Sequence, residues 1–118
     1  MGIRETIVNT VMSWPGVTER PHRFGGIQFS LGDRELGHLH GDRMADLPFT
    51  RAVHDELIAT GRARPHHVLP DSGWVSYRLS SEADVPGAIA LFRLSYERAL
   101  AAQQERANRA DQHERSRA

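Results

Sequence analysis

The feature that most constrains the fold is a segment of alternating polarity between residues 27 and 40. Apolar residues at positions 27, 29 and 31 alternate with polar ones at 28 and 30, which is the period of a half-buried β-strand. The dipeptide Gly32-Asp33 follows, and a second strand pattern runs over residues 35–40. The segment therefore predicts an antiparallel hairpin closed by a two-residue turn.

Other patterns along the chain predict helices and a second hairpin. Apolar residues at helical spacing indicate helices over residues 3–13, over residues 48–60 and from position 85 to 100, the last capped by Asp84. Val68-Leu69, the turn residues 70–73 and an alternating run from position 75 to 79 predict another hairpin. This order of elements predicts an α+β fold, a single two-layer domain with an antiparallel sheet of about four to six strands and helices packed on one face.

Composition limits both domain number and chemistry. A chain of 118 residues allows one domain, which we expect to span residues 1–102, followed by a polar tail or helix extension at 103–118. The sequence contains neither cysteine nor lysine, so thiol nucleophiles, disulfides, thiolate metal sites and Schiff-base chemistry are excluded. Fifteen basic residues balance fifteen acidic ones, and no apolar run has the length of a membrane span. We therefore expect no nucleic-acid partner, no membrane partner and a cytoplasmic location.

Two histidines on the first hairpin are candidate functional residues. If Gly32-Asp33 forms a two-residue turn, Ile27 pairs with His38. Because strand side chains alternate, His38 and the next-but-one residue His40 then lie on the apolar face that carries Ile27 and Phe29. Imidazoles at i and i+2 can share one ligand or one divalent ion. The competing interpretation is a pair of core histidines whose ring nitrogens are satisfied by backbone groups.

Further residues extend this candidate site. His66 follows the second predicted helix and can reach the same sheet. Asp42 can orient the imidazoles through hydrogen bonds, although it can equally be a surface carboxylate beside Arg43. Trp74 lies, by alternation, on the opposite face of its strand from Tyr77, where it either walls a pocket or belongs to the core. We expect a cavity beside the catalytic candidates His38, His40 and His66, with substrate-binding candidates Ile27, Phe29, Asp42 and Trp74.

The most distinctive segment is the string Arg34-Glu35-Leu36-Gly37-His38-Leu39-His40-Gly41-Asp42. Five further motifs flank it in order: Arg23-Phe24-Gly25-Gly26, Asp46-Leu47-Pro48-Phe49, Gly61 through His66, Pro70 through Tyr77, and Leu94-Ser95-Tyr96-Glu97-Arg98. Over residues 14–98 the chain thereby resembles the small luciferase-like domain family that includes the catalytic part of fungal luciferases. That family is distinct from the flavin-dependent bacterial luciferase barrel.

This resemblance implies an activity and its residues. Fungal luciferases use molecular oxygen to oxidise a hispidin-type pyrone without flavin or nucleotide, so the resemblance implies a cofactor-independent oxygenase. It carries over His38 and His40 from the Arg-Glu-x-x-His-x-His pattern at 34–40, and His66 from the end of the Gly-containing stretch. The chain departs from the fungal enzymes at Gly41-Asp42, which leaves the substrate open.

Three classes of function follow from these observations. The leading hypothesis is an oxidoreductase that uses molecular oxygen and has a histidine-lined pocket for a small, planar organic molecule. The second is a metal-dependent enzyme whose divalent ion is held by His38, His40 and His66. The third is a non-catalytic ligand-binding or homodimeric interaction module. The resemblance implies no cofactor.

Overall fold

The computed structural model describes residues 2–117, which form a six-stranded antiparallel sheet and three α-helices. Neighbouring strands across the sheet follow the order β1-β2-β3-β4-β6-β5. The predicted α+β fold is confirmed. The elements in chain order are α1 (Ile3–Met12), β1 (Val17–His22), β2 (Gly26–Leu31), β3 (Arg34–His40), β4 (Met44–Pro48), α2 (Arg51–Ala59), β5 (Arg64–Pro65), β6 (Trp74–Arg78) and α3 (Val85–Arg117).

One face of the sheet is covered by helices. α3 packs across β2, β3 and β4, and α1 packs beside α3 and against β1. Phe92 of α3 meets Phe29 edge-on with 5.4 Å between ring centroids, and the buried Ser95 hydroxyl donates to the carbonyl oxygen of Leu36 at 2.8 Å. Aromatic burial supplies most of the stabilisation here, while the hydrogen bond fixes the position of α3 over β3.

The first hairpin has the predicted turn but contains a β-bulge. Gly32-Asp33 connects β2 to β3, and beyond the turn Leu36 is an extra residue on β3, so that Phe29 pairs with Gly37. The backbone of Gly37 has φ of 148°, and a Cβ there would lie 2.8 Å from the carbonyl oxygen of Asp46. The bulge therefore requires glycine.

This bulge moves the strand histidines to the other face of the sheet. Ile27 pairs with Leu39 rather than with His38, so the predicted placement of His38 and His40 beside Ile27 and Phe29 is wrong. The apolar side chains face α3, and the two histidines lie on the opposite side, which we call the histidine face. The sheet itself therefore separates Ile27 and Phe29 from the histidines, and the two groups of residues do not line one site.

The segment predicted as a helix over 48–60 begins as a strand. Residues Met44–Pro48 form β4 at the centre of the sheet, and α2 begins only at Arg51. The Thr50 hydroxyl caps this helix by accepting the backbone N–H of Val53 at 3.3 Å. The cap, rather than Pro48, sets the start of α2.

The predicted second hairpin is also wrong in its first strand. Val68-Leu69 lies in an irregular segment, and β6 pairs instead with β4 and with the two-residue strand β5. The loop 66–73 is anchored at its end, where the backbone N–H of Phe49 donates to the Gly73 carbonyl at 3.1 Å. This arrangement brings the loop, and with it His66, to the edge of the histidine face.

The last helix is longer than its apolar stripe. A capping box formed by Ser81 and Asp84 precedes it, and α3 then continues to Arg117 with exposed residues beyond position 102. Over the part of the chain that the structure describes, no helix combines the length and apolar character needed to cross a bilayer.

Candidate histidine–aspartate site

A buried carboxylate lies at the centre of the histidine face. Asp46 of β4 is fully buried, and its Oδ1 accepts the Ser76 hydroxyl at 2.6 Å. Its Oδ2 faces three imidazoles, with the Nε2 atoms of His40, His38 and His66 at 2.8, 3.4 and 3.5 Å. Burial alone would raise the pKa of Asp46, but hydrogen bonds from His38, Ser76 and His40 outweigh it and hold the pKa well below its usual range.

Two carboxylates hold His38 in its doubly protonated form. Its Nδ1 donates to Glu35 Oε2 at 2.8 Å, while its Nε2 faces Asp46. Burial favours the neutral ring, yet the hydrogen bonds to Asp46 and Glu35 and their negative charges raise the pKa of His38 to about 9. At neutral pH this side chain is therefore an imidazolium with both N–H groups engaged.

His40 presents one free ring nitrogen. Its Nε2 lies 2.8 Å from Asp46 Oδ2, so that in the neutral ring Nε2–H donates to this carboxylate and the lone pair is on Nδ1. Among residues 2–117 no hydrogen-bond partner for this Nδ1 is found, and the side chain is 35% exposed, against 10% for His38 and 11% for His66. Of the three imidazoles, His40 is thus the most accessible and carries an accepting nitrogen.

His66 is held as a neutral ring whose Nδ1 is already used as a hydrogen-bond acceptor. Its Nδ1 accepts the backbone N–H groups of Val68 and Leu69, both at 3.1 Å. Burial is the largest influence and lowers the pKa of His66, the charge of Asp46 opposes it, and His67 and His38 lower it further. Because Nδ1 accepts, the proton of the neutral ring is on Nε2, where it points towards Asp46.

Further aromatic side chains enclose this cluster. His22 of β1 stacks on His38 with 4.0 Å between ring centroids, and His67 stacks on His66 at 4.4 Å. Trp74 lies 5.5 Å from His38 and 6.0 Å from His66, centroid to centroid. Of these rings the Trp74 indole is the apolar one, and it gives the site a flat surface on which a planar molecule can stack.

The structure brings together four of the seven residues singled out from sequence, namely His38, His40, His66 and Trp74. Ile27 lines a different cavity, beside Pro21 and Gly26. Asp42 is exposed in the turn after β3, where no contact with the imidazoles is found among the described residues.

Sequence reasoning missed the central residue and two histidines. Asp46, His22 and His67 all belong to the cluster, yet none was a candidate. Asp46 stands in a five-residue strand, Met44–Pro48, where no strand was predicted from the sequence. His22 lies on β1, whose polar sequence shows no apolar alternation. A signal for further site histidines was the composition, since the chain has seven histidines and no cysteine.

The same face carries a polar row across all six strands. Successive cross-strand pairs join the residues Arg20, Gln28, His38, Asp46, Ser76 and Arg64. Directly paired side chains are within contact distance of each other. The imidazoles therefore lie in the middle of a continuous polar strip that ends in arginine on both sides.

Two groups within the cluster have donors close enough to hold a metal ion. His38, His40 and Asp46 form one, and Asp46, His66 and His67 form the other, with the donor atoms of each group within 4.8 Å of one another. The hydrogen bond that His38 Nδ1–H donates to Glu35 resembles the carboxylate–histidine contacts that orient metal ligands. The arrangement can thus hold either a network of protons or a divalent cation.

The chain is thus a single α+β domain with a histidine–carboxylate cluster on one face of its sheet. A family model described as the Luciferase domain matches residues 33–95, just over half of the chain. The chain belongs to this family. The match covers β3 to β6 and the start of α3, so it includes every cluster residue named above except His22. Neither the curated proteins nor the solved structures that were compared gave a match.

Proposed function

We propose that this luciferase-like domain is an oxidoreductase that binds a small, planar, enolisable molecule at the histidine face and oxidises it with molecular oxygen. The observation that carries the proposal is one buried carboxylate, Asp46, whose imidazole neighbours differ in exposure and in hydrogen-bond partners. His40 offers a free lone pair while His38 is cationic, only 4.8 Å away between ring centroids. Neighbouring groups with separated acid and base roles are typical of catalytic sites.

His40 is the general base in this proposal. Asp46 accepts its Nε2–H and so fixes the tautomer that presents Nδ1 as the acceptor. A planar enol or phenol lying against the aromatic walls can give its proton to this nitrogen. The carboxylate then stabilises the imidazolium that forms, which makes proton transfer more favourable.

The oxidation step needs only the substrate anion and dioxygen, with His40 carrying the proton. The substrate anion donates an electron pair from carbon to dioxygen, a carbon–oxygen bond forms, and the distal oxygen takes the proton that His40 received. The product is a hydroperoxide, so substrate and dioxygen account for all atoms and electrons.

Oxygen consumption tests this proposal. The protein is incubated with 4-hydroxy-6-methyl-2-pyrone, an enolisable planar probe, and dissolved oxygen and the mass of the product are followed. His40→Ala is expected to lower the rate by about a hundredfold or more. His113→Ala is the matched control, because His113 is exposed on the distal part of α3. Equal rates for the two variants would refute the role of His40.

A metal-dependent oxidase is the second candidate, favoured by the convergence of the Nε2 atoms of His38 and His40 on Asp46 Oδ2. A divalent ion would replace the proton between His38 and Asp46, while Glu35 keeps Nδ1 protonated. His66 fits this ligand set less well, because its Nδ1 already accepts two backbone N–H groups.

Metal analysis separates the two candidates. Protein purified without an affinity tag is measured by mass spectrometry and assayed before and after dialysis against EDTA. Activity that survives chelation supports the proton-based mechanism. Activity that disappears with the metal and returns on its addition would replace that mechanism with the metal-dependent one.

A further inference from the structure

A cavity lies at the edge of the sheet beside β5 and β6, and it borders the histidine cluster through Ser76. It has a volume of about 490 Å³ and is formed by the segment 61–64, the end of β6 and residues 80–84. Volumes of this order accommodate small organic ligands. Ser76 lines it, and the hydroxyl of Ser76 donates to Asp46, so the cavity and the cluster share a residue.

Three arginines line this cavity without carboxylate partners. Arg62, Arg64 and Arg78 are exposed, and no ion pair or hydrogen bond of their guanidinium groups is found within residues 2–117. One carboxylate, Asp84, lines the cavity too, but its Oδ2 accepts the backbone N–H groups of Ser80 and Ser81. The cavity therefore has an excess of positive charge from groups that are free to bind an anion.

Strand pairing sets the distance from these arginines to the imidazoles. Arg64 pairs with Ser76, and Ser76 pairs with Asp46. Since neighbouring strands are about 4.8 Å apart, Arg64 and Asp46 are separated by about 10 Å across the sheet. A guanidinium extends several ångströms from its backbone, so one small molecule can reach both the arginines and His40.

We infer that this cavity is an oxyanion subsite, in which Arg62, Arg64 and Arg78 hold a carboxylate or phosphate group of a planar molecule. Guanidinium groups bind both oxyanions with charge-assisted, often bidentate hydrogen bonds. The placement of the molecule's reacting end at His40 rests on the proposed function, whereas the anion subsite itself does not. The substrate class is thus a planar enol or phenol that bears an acidic group.

Binding of matched naphthalene probes tests the subsite. Titration calorimetry at low salt compares 2-naphthoate and 2-naphthyl phosphate with the neutral 2-naphthamide. At least one anion is expected to bind roughly tenfold or more tightly than the amide, since hydrogen bonds to charged groups are the stronger ones. The tighter of the two anions identifies carboxylate or phosphate as the natural group.

Substitutions assign the effect to the arginines. Arg64→Gln is expected to weaken anion binding about tenfold or more and to leave amide binding unchanged. Arg106→Gln, on the exposed part of α3, removes the same charge away from the cavity and should bind like the original chain. If circular dichroism shows that R64Q is unstable, the double variant R62Q/R78Q is used instead. It also lowers the positive charge of the cavity and should weaken anion binding.

The outcomes distinguish the subsite from the proposed chemistry. Equal affinity for anions and amide, or equal behaviour of R64Q and R106Q, would overturn the subsite. His40→Ala is expected to retain arginine-dependent anion binding. A chain that binds the anions but consumes no oxygen would refute the proposed function and leave the subsite standing.

Discussion

Raising the pH from 6 to 10 is expected to lower the free energy of unfolding by about 3 kcal/mol through His38 alone. In the folded chain the pKa of His38 is about 9, against an ordinary value of 6.5. Below pH 6.5 both states bind the proton, so the stabilisation by Glu35 and Asp46 is complete. As the pH rises, the unfolded chain releases its proton first. The contribution therefore declines between these two values and is lost above the higher one.

The magnitude follows from this difference in proton affinity. Each pH unit between the folded and unfolded pKa values corresponds to about 1.4 kcal/mol, and His38 is buried enough that solvent screens its partners little. The chain has no lysine and no cysteine to titrate in this window, but burial and the charge of Asp84 raise the pKa of Tyr77, so that tyrosine adds a further decline in stability near pH 10. The lowered pKa of His66 acts in the opposite direction, and only below pH 6.5. Stability is thus expected to be highest between about pH 6 and 7.

Urea unfolding measures this effect. Tryptophan fluorescence is followed at half-unit steps of pH in the presence of EDTA, so that no bound metal competes with the proton. His38→Asn should remove the decline between pH 6.5 and about 9, whereas His113→Asn should keep it. A flat profile for the original chain over this range, or a decline within it that persists in H38N, would show that His38 is not held as an imidazolium by its carboxylates.

Three further perturbations test the fold around the site. Gly37→Ala should destabilise the chain by about 3 kcal/mol in urea unfolding. The reason is that the new Cβ would lie within 3.0 Å of the Asp46 carbonyl and of Phe92. A loss of stability as small as that of an exposed Gly→Ala change would contradict the bulge. Asp46→Asn should lower the free energy of unfolding by a similar amount, about 3 kcal/mol at pH 7, since it leaves the His38 imidazolium buried beside a neutral amide. Thermal unfolding at pH 7 and pH 10 should show this loss of stability mainly at the lower pH. Removal of residues 105–118 should lower helical circular dichroism but change the free energy of unfolding by less than about 1 kcal/mol, because the side chains of residues 105–117 are exposed.

Local periodicity predicted the elements whose patterns are strong. The Gly32-Asp33 turn, the flanking strands and the apolar stripe of α3 all follow from alternation at the period of their element. These signals depend on one face being buried against a hydrophobic layer. For that reason they located the helix-covered side of the sheet correctly and described its opposite side poorly.

The β-bulge shows why the site could not be placed by alternation. A hairpin register extrapolated from its turn assumes one residue per position on each strand, and the extra residue Leu36 shifts every pair beyond it by one. Gly37 marks the position in the sequence, since glycine inside a strand often signals a bulge. The signal did not reveal on which side of the glycine the extra residue lies, and that decides the face of His38 and His40.

Asp46 was hidden for a thermodynamic reason. An isolated, fully buried carboxylate is strongly unfavourable, so a charged residue in a short segment is normally read as exposed. Here the ionised form is stable because imidazole N–H groups and the Ser76 hydroxyl replace its water. Those partners come from β3, β6 and the loop after β5, which only the tertiary fold brings together. The free-energy cost of burying ionised Asp46 therefore depends on the protonation of His38, and the pKa of His38 depends on the charge of Asp46. It follows that a substitution at either residue shifts the pKa of the other, and that the helix-covered face must supply the stability that holds this polar network in place.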